Sequence, residues 1–167
     1  MHSPTVRPAA PTDVPEIHRL ILALAEYERE PDAVRATSRQ LYDALFSDNP
    51  AVHAIVVDSP ETSEHALDGF ALWFRNYSTW EGTHGIYLED LYVREERRGQ
   101  GIGDALLKHL AKLAVERGYA RMEWSVLKWN EPSIQFYQHI DARPLSEWDT
   151  YRLTGDALKH LGSRREI

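Results

Sequence analysis

A strand, a glycine-rich turn and a helix follow one another past the middle of this chain, and that order restricts its fold more than any other feature. Gly85–Val93 reads as the strand and Arg97-Arg98-Gly99-Gln100-Gly101-Ile102-Gly103 as the turn. Ile102, Leu106, Leu110, Leu113 and Ala114 form one stripe of a helix from about Gly101 to Arg117, which Gly118 ends. Alternate glycines let main-chain N–H groups crowd around an anion with no Cβ in the way. The helix aims its unsatisfied donors and positive dipole end at the same point. Arg97 and Arg98 can add charge-assisted bonds to phosphate oxygens. The chemistry indicated is a pyrophosphate held at a helix N-terminus.

The flanking sequence surrounds this unit with more strands and helices. Thr5–Arg7 before Pro8 is a short opening strand, and Thr12 or Asp13 can cap a helix with Pro15 in its first turn. That helix buries Ile17, Leu20, Ile21 and Leu24 and should stop near Glu30-Pro31. A second helix starts at Thr37 or Ser38 and buries Leu41 and Leu45. Val52–Val57 and Leu67–Tyr77 are strands around an acidic loop, and Ser78–Gly82 turns the chain into antiparallel Gly85–Val93. Arg121–Leu127 is a strand, Glu131–His139 a short helix, Asp149–Leu153 a last strand, and Asp156–Leu161 a final helical turn or two. This is a mixed α/β (α+β) domain with a partly antiparallel sheet.

Composition narrows the function. The 167 residues suit one domain, 1–167, and no apolar run is long enough to span a membrane. A net charge of −7 disfavours nucleic acid and suits a cationic partner. Cysteine is absent, which excludes disulfides, thiolate metal sites and a cysteine nucleophile. Met1-His2-Ser3-Pro4 lacks the pattern of a secretion signal, so a cytoplasmic protein is expected. The eight histidines are scattered without helical ligand spacing, and no metal is expected.

Three folds of pyrophosphate site compete with a plain structural turn. A dinucleotide-binding turn needs G-x-G-x-x-G directly after the first strand, whereas this spacing is G-x-G-x-G; Glu123 nevertheless stands where a ribose-binding acid could sit. A P-loop lacks its Lys-Ser/Thr. The third possibility is an acyl-CoA site. Arg98-x-x-Gly101-x-Gly103 matches the [Arg/Gln]-x-x-Gly-x-[Gly/Ala] acyl-CoA motif of the GNAT N-acetyltransferase superfamily. More of the chain resembles its spermidine/spermine (diamine) N-acetyltransferase branch: Val6-Arg7-Pro8-Ala9, Tyr27-Glu28, Tyr87-Leu88-Glu89-Asp90, and Trp129-Asn130-Glu131-Pro132-Ser133 with Phe136-Tyr137. The resemblance runs in order from Val6 to about Leu153.

It implies a central sheet of six to seven strands flanked by about four helices, with a bulged strand splayed from its parallel neighbour to form the CoA cleft. It also implies acetyl transfer from acetyl-CoA to a primary amine of a diamine, polyamine or lysine-like amino acid, in a homodimer. Arg97, Arg98, Gly99, Gln100, Gly101, Ile102, Gly103 and Asp104 would take the pyrophosphate. Leu91, Tyr92 and Val93 would lie along pantetheine, and Asn130, Glu131, Pro132 and Ser133 near the thioester. Tyr137 occupies the position of the family's general acid.

Glu89 and Asp90 also stand out without the resemblance, because they interrupt an apolar strand and strict alternation would bury one of them. An alkyl amine arrives protonated and needs a base; Glu89 is the choice, with Asp90 behind it, and an edge strand with both acids solvated is the alternative. Tyr27, Glu28, Asp90, Glu123, Trp124, Ser125 and Asp149 complete the expected substrate-facing set, with Trp80 and Trp148 as cation–π faces. Without cysteine, direct transfer in a ternary complex is expected. A non-catalytic acyl-CoA-binding module is the alternative function. Two positions depart from the branch: Lys128 replaces an acid and would repel a polycation or prefer a substrate carboxylate, and Asp141 replaces a glycine but tolerates left-handed backbone.

Overall fold

Arg7 shows how the first three-residue strand is held. In the computed structural model, which describes residues 4–163, Val6–Pro8 (β1) pairs antiparallel with His53–Asp58 (β2). The Arg7 guanidinium donates to Asp58 at 2.6 and 2.9 Å and to Asp13 at 2.7 and 3.0 Å. Burial alone would raise the Asp13 carboxyl, but Arg7 and the Ala10 N–H outweigh it and hold its pKa below the ordinary value. Asp13 leads into Val14–Tyr27 (α1), and the chain leaves that helix before Pro31 with Arg29 at φ 65°. Ser38–Phe46 (α2) opens on reciprocal bonds: Thr37 Oγ1 accepts from the Gln40 N–H at 3.2 Å, and the Thr37 N–H donates to Gln40 Oε1 at 2.9 Å.

The sheet continues through Leu67–Ser78 (β3), Thr83–Val93 (β4) and Met122–Glu123 (β5), in spatial order β1-β2-β3-β4-β5. All neighbours are antiparallel except β4 and β5, which are parallel and joined across Ile102–Glu116 (α3). One face packs Ala54, Val56, Phe70 and Leu72 against Ile17, Leu20, Leu41 and Leu45 of α1 and α2. The other lies against α3, whose Leu106, Leu110 and Ala114 are buried. The approach is close at Gly69, where a Cβ would fall 2.8 Å from the Tyr92 carbonyl oxygen and 3.3 Å from Ile102 Cγ2.

Two expectations are corrected. Among the described residues the sheet has five strands rather than six to seven, and there are five α-helices rather than about four. Arg121–Leu127 pairs only over Met122–Glu123, and Asp149–Leu153 joins no ladder. Residues 149–153 are all exposed, so their alternation has no surface to bury and nothing fixes a register. The final helical turn extends to Gly155–Gly162, the fifth helix.

The chain divides into two compact units, one ending at Leu127 and holding the sheet with α1–α3, the other beginning at Lys128. In the second, Glu131–His139 (α4) is capped by Asn130, whose Oδ1 accepts from the Ser133 N–H at 3.4 Å. Asp141 takes φ 62° and closes α4, with its N–H on the Gln138 oxygen and the Ala142 N–H on the Tyr137 oxygen, both at 3.0 Å. Asp141 thus adopts the left-handed backbone anticipated for it. No described helix is long and apolar enough to cross a membrane, and Met1–Ser3 lie outside the described residues.

Candidate functional site

The ladder between β3 and β4 contains one extra residue, and it is Glu89. Leu72 pairs with Asp90 and Trp73 with Leu88, leaving Glu89 without a partner on β3. Because cross-strand partners share a face, Ile86, Leu88, Leu91 and Val93 point to the α3 side, while Tyr87, Asp90 and Tyr92 point with Phe70, Leu72 and Phe74 to the α1 side. Unbroken alternation would have put Asp90 with Ile86 and Leu88 in the α3 core. The bulge removes it from there and leaves Glu89 exposed.

Asp90 then meets Glu28 at the end of α1. Burial, followed by the negative charges of Glu89 and Glu28, pushes the Asp90 carboxyl up to about 7. Burial also raises Glu28. Tyr27 lies beside this cluster in sequence, and its ring centroid is 4.7 Å from Arg98 Cζ, which is also 5.4 Å from that of Tyr92. Arg98 Nε donates to the Val93 oxygen at 3.1 Å. The guanidinium therefore ties the start of the glycine turn to the aromatic neighbours of both carboxylates.

In the turn itself, Gly99 and Gly101 take φ 74° and 80°, where an L side chain is strained, and a Cβ at either would meet nothing within 4 Å. Gly101 caps α3 and its carbonyl accepts from the Ala105 N–H at 2.9 Å. Among the described residues, the main-chain N–H groups from Gly99 to Asp104 donate to no backbone carbonyl. These open donors at a helix N-terminus fit a diphosphate. Asp104 pairs with Lys108 at 2.7 Å, and Gln100 Nε2 reaches the Glu96 oxygen at 3.5 Å. Arg97, expected on phosphate, has its Nε on the buried Asp68 at 2.8 Å.

The strand also opens as a cleft requires. The β4–β5 ladder consists of Ile86 with Met122 and Tyr87 with Glu123, so Leu88–Val93 has no ladder partner on that edge. Free main-chain groups on such an edge can take an extended amide chain such as pantetheine. Past the ladder, Ser125 Oγ is 3.0 Å from the Tyr87 hydroxyl, while Glu123 pairs with Arg121 at 2.8 Å and accepts from Asn76 at 3.4 Å. Trp124 is half-buried.

The Acetyltransferase (GNAT) family model matches residues 15–141. The chain belongs to the GNAT acetyltransferase family. Among its relatives, the thialysine N-epsilon-acetyltransferase of Sus scrofa is 36% identical, over 98% of this chain and 100% of that protein. The human spermidine/spermine N(1)-acetyltransferase-like protein 1 is 35% identical, over 92% of this chain and 23% of that protein. An integron cassette protein from the mobile metagenome of V. cholerae shares the fold with a TM-score of 0.78 at 25% identity, covering 98% of this chain and 100% of that one. The GNAT enzyme described here is thus an acyltransferase of the branch that its motifs indicated.

In the second unit of this GNAT chain, Asn130 is buried and Tyr137 half-buried, with the Tyr137 ring 5.7 Å from that of Phe136. Ser133 is half-buried, whereas Glu131, Pro132, Trp148 and Asp149 are exposed. Trp80, in the first unit, is also exposed.

Sequence reasoning missed the acids beneath the turn. Asp68 is 2% exposed, accepts from Ser59 Oγ at 2.7 Å and holds Arg97. Glu16, 7% exposed, receives Arg94 and, at 2.7 Å, Arg19. Burial would raise Glu16, but the two arginines hold it low. Asp68 was findable: it interrupts the apolar run Leu67–Phe70 as Glu89 and Asp90 interrupt theirs.

Proposed function

We propose that this enzyme transfers the acetyl group of acetyl-CoA to the terminal primary amine of a small diamine-like molecule, a lysine-like amino acid before a polyamine. The observation that carries the reading is the meeting of Asp90 with Glu28 on the α1 side of the bulged strand, with Glu89 adding its charge from the bulge. Three acids with two raised carboxyls suit a cation and offer an acceptor for its proton. Likeness to a thialysine enzyme over 98% of this chain, and the positive charge of Lys128, which suits a substrate carboxylate, favour the amino acid.

Acetyl-CoA supplies an activated thioester; the protein's residues do the rest. The donors from Gly99 to Asp104 hold the diphosphate, with Arg98 beside them, and the free edge of Leu91–Val93 aligns the pantetheine arm. The amine enters protonated, with an ordinary pKa near ~10.4, and gives its proton to a carboxylate. A base with a pKa near neutrality is better matched to that transfer than an ordinary carboxylate, which supports Asp90 as the acceptor and Glu89 as the ammonium-binding partner. The nitrogen then forms its bond to the acyl carbon as the carbon–sulfur bond breaks; Tyr137 gives its proton to the departing thiolate, and the proton shed by the new amide nitrogen restores the phenol. The lack of cysteine supports direct transfer in a ternary complex. The homodimer and the cytoplasmic setting rest on the family likeness and composition.

Free CoA release, followed over lysine, thialysine, ornithine, putrescine, spermidine and aminoglycosides, tests the reading. The highest kcat/KM is expected for an amino acid with a side-chain amine. Release with none of these amines, despite acetyl-CoA binding, would overturn it.

A further inference from the structure

Arginine and histidine also converge at the opposite end of α3, and no carboxylate lies in the lining they share among the described residues. Asn49, Pro50, Ala51, His53, Trp73, Arg75 and Arg117 line a cavity of about 360 Å³. His53 and Trp73 are cross-strand partners whose rings lie 4.6 Å apart, and Arg117 Cζ stands 5.7 Å from the Trp73 ring. Arg75 follows Trp73 by two residues on β3 and so shares its face. Among the described residues neither Arg75 nor Arg117 is ion-paired with a carboxylate, although the chain carries a net charge of −7 and six other arginines find one.

The surroundings favour negative charge. The carbonyl end of α3 would repel an anion by itself, but the N–H groups of Arg117, Gly118 and Tyr119 close it at 2.8–3.1 Å. Burial would raise the Tyr119 hydroxyl, yet Arg117 and Arg75 outweigh it and lower its pKa. Burial, then the same two arginines, lowers His53. Both groups are shifted by the positive charge of Arg75 and Arg117, which pair with no carboxylate among the described residues. A guanidinium fork matches phosphate and carboxylate oxygens in two-point contact, and Arg117 beside the Trp73 ring, with Arg75 in the same lining, supplies two such forks.

We propose that Arg75 and Arg117, backed by His53 and Trp73, form a second binding site that takes a small oxyanion carrying a phosphate or carboxylate group. The site is distinct from the glycine turn: α3 separates them by roughly 22 Å at 1.5 Å per residue. It does not depend on the acceptor proposed above.

The test is a titration of the 15N-labelled full chain with inorganic phosphate and, separately, with citrate in low-salt buffer, read by NMR. Saturable shifts are expected at the Trp73 indole N–H and at the Arg75 and Arg117 Nε–H signals. Bound anion should also raise the His53 pKa; the charged groups acting on that ring are Arg117 and Arg75. The double variant Arg75→Gln/Arg117→Gln should weaken binding about tenfold or more. Any phosphate response of the Gly99–Asp104 amides should survive in it and report an intact fold. Arg75→Lys, which keeps the charge and loses the fork, should fall between. The tighter of the two anions identifies the acid group. Linear, unsaturable shifts at Trp73, an unmoved His53 pKa, or equal affinity in the double variant would overturn the proposal.

Discussion

Arg97 donates its Nε–H to Oδ2 of Asp68 at 2.8 Å, across 29 positions of sequence. The pair ties the approach to the glycine turn onto β3, where Asp68 is also held by Ser59. Asp68→Asn removes the charge and leaves Arg97 without its partner, at a cost of about 1–3 kcal/mol. KM for acetyl-CoA should rise about tenfold with a smaller change in kcat, because the turn loses its anchor and the acceptor site does not. Steady-state kinetics with thermal melting will show whether the two effects separate.

Asp90 links activity and stability with opposite signs. As a base it must be ionised, so kcat/KM should climb with pH through an apparent pKa near 7. In folding, its native pKa lies above the unfolded value of 3.8, so the native state keeps a proton that the unfolded chain has lost between those limits. Stability from this group therefore declines as pH rises through that window. Asp90→Asn should lose most activity yet gain on the order of 1–2 kcal/mol at pH 8, discounted for partial exposure, and little at pH 4. Urea melts at the two pH values, compared with wild type, decide it.

Glu28 tests the charge cluster from its other side. Replacing it by Gln removes one of the negative charges that raise Asp90, so the acid limb of kcat/KM should move to lower pH. KM for a cationic acceptor should increase several-fold at the same time. A pH profile that stays in place would separate Glu28 from Asp90.

The glycines of the turn should differ in what they do. Gly101→Ala places a Cβ at φ 80°, costing about 1–2 kcal/mol of strain although the space is open. Gly103 lies inside α3 with Val93 Cγ2 at 3.9 Å, so Gly103→Ala should leave melting unchanged or raise it by a few degrees. Calorimetric titration with CoA on both variants measures how far each added methyl obstructs the donors.

Tyr137→Phe keeps the ring and loses the hydroxyl. A fall in kcat of roughly 10²-fold is expected of a lost general acid, with KM for acetyl-CoA little altered. Single-turnover measurements distinguish this from slower product release.

Much of this architecture was written in local patterns. The capping Thr37 and Gln40, the α3 stripe ending at Gly118 and the hairpin of β3 with β4 all depend on neighbours a few residues apart. The bulge was legible because two acids in an apolar strand had to be relieved somehow. What alternation could not locate was which residue would be extra, since that depends on how Leu72 and Trp73 pack on their two faces. The Arg97–Asp68 pair was hidden from local pattern because Asp68 lies on another strand. The strand expected at Asp149–Leu153 failed for a similar reason: pattern alone supplies no partner. The Arg75–Arg117 cavity joins two positions 42 residues apart (117 − 75) and left no local trace.

The extra residue in β4 makes that strand behave like a reading frame. Every side chain downstream of Glu89 takes its address, toward α1 or toward α3, from the parity that one insertion sets. Drawing Glu89 into regular alternation, or inserting one residue after it, would send Asp90 and Tyr92 to the α3 side and turn Leu91 and Val93 toward α1 and the acids. Changes in acceptor preference are thus free to come through side chains on β4, but not through its length.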